Sequence, residues 1–72
     1  MEKTKNEEVL NIQIRRFLKK VGIQSQREIE QAVKQSIEKG SLVETDKIEA
    51  SVLLEVPAVG LKVTIKGDIE LA

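Results

Sequence analysis

The feature that most restricts this chain is a change of hydrophobic period near its middle. Up to Ile37 apolar side chains recur every three or four positions, and from Ile48 to Leu71 they recur at every second one. The first spacing lays them along one stripe of a helix, the second on one face of a strand. A chain of 72 residues has room for a single small domain, so both patterns must share one structure. Helix first and strand second, segregated along the chain, predict an α+β fold.

In the helical part, Asn6 reads as an N-cap with Glu7 and Glu8 in the acidic first turn, and Thr4 with Glu7 offers a capping box as an alternative start. Leu10, Ile14, Phe17, Leu18 and Val21 then occupy one arc of about 100°. Lys19 and Lys20 suit a last turn, and Gly22 suits a left-handed C-terminal cap. This predicts a first helix over about 6–21, with residues 1–5 disordered in front of it. Ser25 and Glu28 have the S-x-x-E spacing of a capping box, Ile29, Ala32, Val33, Ser36 and Ile37 line one face, and Gly40 follows as a stop. A second helix is therefore expected over about 26–39. So short a link between the two predicts a helical hairpin or corner.

After the polar stretch Ser41–Lys47, Ile48, Ala50, Val52, Leu54 and Val56 alternate with Glu49, Ser51, Leu53 and Glu55. Leu61, Val63, Ile65, Ile69 and Leu71 alternate in the same way on the far side of Pro57-Ala58-Val59-Gly60. The pattern predicts an antiparallel β-hairpin, strands about 48–56 and 61–71, with the helices packed on its apolar face. Glu49 and Glu55 are expected across from Lys62 and Lys66 on the other face. Gly67 sits where an inward side chain is due, which suggests a bulge or a close approach by a helix.

Composition decides which chemistries are open. Phe17 is the one aromatic residue, and His, Cys, Tyr and Trp are absent. The core must therefore be aliphatic, and the commonest general base, transition-metal ligand and best nucleophile are missing. Ser25 has the setting of a helix cap, Glu7/Glu8 and Glu44/Asp46 lack calcium-loop spacing, and the glycines build no phosphate cradle. We expect no enzyme, no catalytic or metal-binding residue and no cofactor. The lack of cysteine fits a reducing compartment, no segment has the roughly 20 apolar residues of a membrane span, and Met1–Asn6 is too polar to open a signal peptide. The expectation is a cytoplasmic, intact protein that does not enter a membrane.

The run Ile14-Arg15-Arg16-Phe17-Leu18-Lys19-Lys20-Val21-Gly22-Ile23-Gln24-Ser25-Gln26-Arg27-Glu28-Ile29-Glu30 resembles a family of short bacterial proteins of unknown function that share an I-R-x-F-L-K-x-V-G-I-x-S-Q-x-E-I-E core. Their ending is similar to the pair of segments from Val59-Gly60-Leu61 through Ile69-Glu70-Leu71. The resemblance spans most of the chain and implies neither an activity nor ligand-binding residues.

Two surfaces remain as candidates for contact. Arg15, Arg16 and Lys19 lie opposite the apolar stripe with Ile12 among them, a basic face suited to phosphates or to a partner's carboxylates. The second surface is the hairpin tip, where Pro57 and Val59 lie in an apolar turn and Leu53 projects on the nominally wet face. A two-stranded sheet is marginal in water, and a second copy could complete it across a twofold axis. The function expected is a non-catalytic protein-interaction or structural module, binding a protein partner or itself as a homodimer. The alternative is nucleic-acid binding through the basic face, and a basic helix beside a hairpin is distantly similar to winged-helix proteins. Zero net charge, with residues 1–40 at +3 (nine Lys/Arg, six Asp/Glu) and residues 41–72 at −3 (three and six), disfavours it.

Overall fold

The computed structural model describes residues 3–72, with side chains from Asn6 onward. A helix α1, Lys3–Glu38, is followed by strand β1, Lys47–Val56, a turn of 3-10 helix, Pro57–Val59, and strand β2, Leu61–Glu70. The fold is α+β, but one helix stands where the spacing predicts two. The expectation of disorder over residues 1–5 lies outside the described residues for 1–2 and outside the described side chains for 3–5.

The reason for the single helix lies in the phase of the stripe. Leu10, Ile14, Leu18, Val21, Ser25, Ile29, Ala32 and Ser36 follow one another by steps of 4, 4, 3, 4, 4, 3 and 4. That is an eleven-residue repeat of about 3.67 residues per turn, which keeps one face aligned along a straight helix. Breaking the chain at Gly22 would put the two halves out of phase for no gain. A glycine inside a helix costs only about 1 kcal/mol, and no proline enforces a break, since Pro57 is the one proline. Gly22 has no left-handed φ, and the Ser25/Glu28 pair is helix interior. The S-x-x-E spacing is a start signal only where the helix before it has ended.

Gly40 does end the helix. With φ +77° it lets the Gly40 N–H donate to the Ile37 carbonyl at 3.0 Å and the Ser41 N–H to the Ser36 carbonyl at 3.0 Å. This crossed pair is the Schellman arrangement, in which the left-handed residue redirects the chain and satisfies free carbonyls. Asp46 closes the following loop. Its Oδ2 accepts from the Val43 N–H at 2.9 Å, its own N–H donates to the Val43 carbonyl at 3.0 Å, and its carbonyl accepts from the Leu71 N–H at 3.1 Å. The loop is thereby tied to the end of β2.

The hairpin register places Ile48 opposite Ile69, Ala50 opposite Gly67, Val52 opposite Ile65, Leu54 opposite Val63 and Val56 opposite Leu61 on one face. On the other face Glu55 opposes Lys62 as expected, whereas Glu49 opposes Asp68 and Lys66 opposes Ser51. Gly67 pairs one-to-one with Ala50, and a Cβ there would meet nothing within 4 Å. It is therefore neither a bulge nor a point of close approach. Pro57 begins the turn and Gly60, at φ 68° and ψ 22°, reverses the chain while donating to the Pro57 carbonyl at 3.1 Å.

Helix and hairpin meet sparsely, alongside the second part of α1. Val21, Ser25, Val33, Ser36 and Ile37 are half-buried there, as are Ile48, Ala50 and Leu54 on β1 and Ile69 on β2. Helix and strand face each other across a groove of about 400 Å³ between Val21, Ser25, Ile29 and Val52. Among the described residues none is fully buried. The molecule measures 57 × 20 × 17 Å with a radius of gyration of 17.1 Å, against about 11 Å for a compact chain of this length. Its accessible surface is 6663 Å² at 8.1 kDa, where a compact monomer has about 4,500 Å².

Candidate functional site

The expected binding residues fall into two separate groups. Ile12, Arg15, Arg16 and Lys19 are all exposed and share one side of α1, ahead of the part that meets the hairpin. Leu53, Pro57 and Val59 are exposed on the hairpin: Leu53 opposite Thr64 on the polar face, Pro57 and Val59 in the turn, where Val59 is 73% exposed. α1 presents the basic group on the side opposite its apolar stripe, so each helical side chain has solvent before it.

The larger surface is the stripe whose periodicity predicts that it faces a core. Leu10, Ile14, Phe17 and Leu18 are 59%, 47%, 51% and 49% exposed. From Asn6 to Lys20 every residue is exposed, so the stripe expected to face a core faces solvent over about four turns. The hairpin shows a smaller version of the same imbalance. Ile48, Ala50 and Leu54 of β1 are half-buried, while Leu61, Val63 and Ile65 on the same face of β2 are exposed. The signal that could have located these surfaces is quantitative. A 72-residue chain carrying this many large aliphatic side chains on two elongated elements has more apolar surface than one helix and one hairpin can cover for each other.

The titratable groups do not converge. No group of three or more acidic side chains is placed to hold a metal ion among the described residues. Asp46, which forms an acidic pair in sequence with Glu44, accepts the Val43 amide hydrogen on Oδ2. The hollow at the Ala50/Gly67 pair, rimmed by Glu49, Lys66 and Asp68, is the imprint of a lone methyl opposite a glycine on an open sheet. No helix of the described residues is long and apolar enough to cross a membrane. What the arrangement offers is contact surface, apolar in the middle and charged at its margins.

Residues 5–72 match the model of a family described as a family of unknown function, DUF6494. The chain belongs to that family. The match takes in the helix, the loop and both strands, so the DUF6494 unit coincides with the whole α-β-β arrangement. No curated protein and no solved structure matches the chain. The function of this DUF6494 chain is therefore argued from its own surfaces.

Proposed function

We propose that this protein is a non-catalytic interaction module of the reducing cytoplasm that completes its fold by associating with a second copy of itself. The observation that carries the reading is the surplus of surface. The chain exposes 6663 Å², about 2,200 Å² more than a compact monomer of its mass. A standard protein interface takes about 800 Å² from each partner, so the surplus is large enough for a stable dimer. At about 25 cal/mol per Å² of apolar area, leaving it wet forfeits the term that holds small domains together. Two further features support binding over chemistry: the exposed apolar side chains are contiguous on α1, and the polar groups near them are long, flexible and dispersed. Nucleic-acid binding by Ile12, Arg15, Arg16 and Lys19 has only their exposure in its favour, and a net charge of zero stands against it.

Sedimentation velocity over about 1 μM to 1 mM tests the reading, because a dimer's population follows mass action. The expected result is a reversible shift from the 8.1 kDa chain to twice that mass. A species of single-chain mass throughout that range would overturn it.

A further inference from the structure

Two apolar surfaces of the chain stand open, one on the helix and one on the hairpin. On α1 the stripe Leu10, Ile14, Phe17 and Leu18 is exposed. On the hairpin Val56, Leu61, Val63 and Ile65 are exposed around the half-buried Leu54, on the same face whose other end, Ile48 and Ile69, is half-buried. Two-stranded ribbons are the most strongly twisted sheets, so a straight helix laid along one end of the ribbon leaves its face before the other. The chain thus sets helix against strand once, across the groove at Val21, Ser25, Ile29 and Val52, and holds the two sides of a second such contact apart. Charge favours the strand face over a second stripe as the cover for α1. From Val9 to Lys20 the helix carries Arg15, Arg16, Lys19 and Lys20 and no acidic residue. Packed helices lie about 8–10 Å apart, close to one Debye length at physiological salt, so stripe on stripe would set two such cationic segments side by side. The strands from Lys47 to Glu70 carry both signs, three lysines against four acidic residues, and meet the stripe without that repulsion.

We infer that the first half of α1 in each copy packs on the open tip half of the other copy's hairpin, so that a dimer holds two identical helix-on-hairpin seams. The inference rests on the self-association proposed above and specifies its surfaces. A twofold axis closes the assembly, because the stripe of the first copy meets the strands of the second while the strands of the first meet the stripe of the second. Each seam supplies what both of its sides lack. A two-stranded hairpin needs a further element against its apolar face to be stable in water, and a helical segment of about 15 residues is marginal without tertiary packing. The surplus of about 2,200 Å² per chain over a compact monomer exceeds the roughly 800 Å² that a standard interface takes from each partner, so there is surface enough for both seams. Leu53, on the opposite face of the sheet beside Thr64, stays outside them.

Complementation between two full-length variants reads the pairing directly. Ile14→Glu spoils the stripe and Val63→Glu spoils the strand face, each at an exposed side chain, and circular dichroism checks that both variants stay folded. Alone, each should have a dimer dissociation constant at least about a hundredfold above wild type, since an unpaired carboxylate enters both seams. Mixed, they should form heterodimers at least about tenfold more tightly than either variant pairs with itself, because one of the two seams then joins an unaltered stripe to an unaltered strand face. If Val63→Glu dimerises like wild type while Ile14→Glu does not, the stripe meets something other than the hairpin, and the inference falls while self-association stands. Weak dimers from both variants with no gain on mixing defeat it as well. The absence of cysteine allows a second test that adds no charge and covers the case in which a glutamate unfolds the hairpin. Ile14→Cys and Val63→Cys chains, mixed and treated with a short bismaleimide, should be joined mainly from position 14 of one to position 63 of the other. Dominant 14-to-14 and 63-to-63 products would overturn the inference. A wild-type monomer at all concentrations refutes both the seams and the self-association beneath them.

Discussion

The two halves of α1 share one stripe and differ in what the stripe is made of. From Val21 onward, where the hairpin lies alongside, it includes Ser25, Ala32 and Ser36; before Val21 it consists of Leu10, Ile14, Phe17 and Leu18. The second part mixes small and large side chains, with Val21, Ser25, Val33, Ser36 and Ile37 half-buried, and the first part carries large ones that are all exposed. Small residues let a sheet sit close to a helix, and half-burial of Ser25 and Ser36 leaves their hydroxyls able to reach backbone carbonyls or water. Large aliphatic residues in water are an unused source of stability, worth about 1.5–3 kcal/mol each when buried. The covered half is an internal contact, and the uncovered half has the composition of a contact between molecules.

That comparison depends on the helix being continuous, and the most damaging single change to it is Gly22→Pro. Proline at 22 removes an amide hydrogen bond and clashes with the carbonyl of Leu18, at the boundary between the two halves. A loss of about 3 kcal/mol is expected in urea unfolding, with weaker helical ellipticity at 222 nm. Were stability unchanged, the chain would already be bent there, and two helices would be the better description.

A smaller effect with a definite sign comes from replacing two glycines by alanine. Gly22 is helical and a Cβ on it meets nothing within 4 Å, so Gly22→Ala should stabilise by about 1 kcal/mol. Gly40 also has space around it but holds φ +77°, so Gly40→Ala should destabilise by about 1 kcal/mol. Thermal midpoints of the two variants should move in opposite directions. If both fall, Gly22 is serving as a left-handed cap and the stripe is broken after all.

Much of this was legible in the residues. The switch of period at Ser41–Lys47, the alternation in both strands and the stop at Gly40 are local signals, and local physics decides them. The break at Gly22 was a misreading because capping signals are permissive. Gly22 and the Ser25/Glu28 spacing allow an end and a start, while the unbroken phase from Leu10 to Ser36 makes continuity cheaper. The uncovered stripe was illegible for another reason. Periodicity reports that Leu10, Ile14, Phe17 and Leu18 share a face, and it is silent on whether the covering surface belongs to the same chain.

The smallest expected effect is the most discriminating between the two surfaces. Leu53 is 53% exposed on the polar face of the hairpin, opposite Thr64. Leu53→Lys should leave folding stability within about 0.5 kcal/mol, as surface changes do. If the copies meet along α1, it should also leave the dimer dissociation constant within about twofold, since Leu53 lies outside that seam and the new charge has solvent to enter. Sedimentation and urea unfolding on one preparation separate the possibilities. A stable variant that no longer dimerises would move the interface to the outer face of the sheet, and the exposed Leu10–Leu18 stripe would then need a different occupant. A variant that unfolds would make Leu53 part of a core, reversing the facing of both strands and with it the pairing of Val52 and Leu54 against the covered half of the helix.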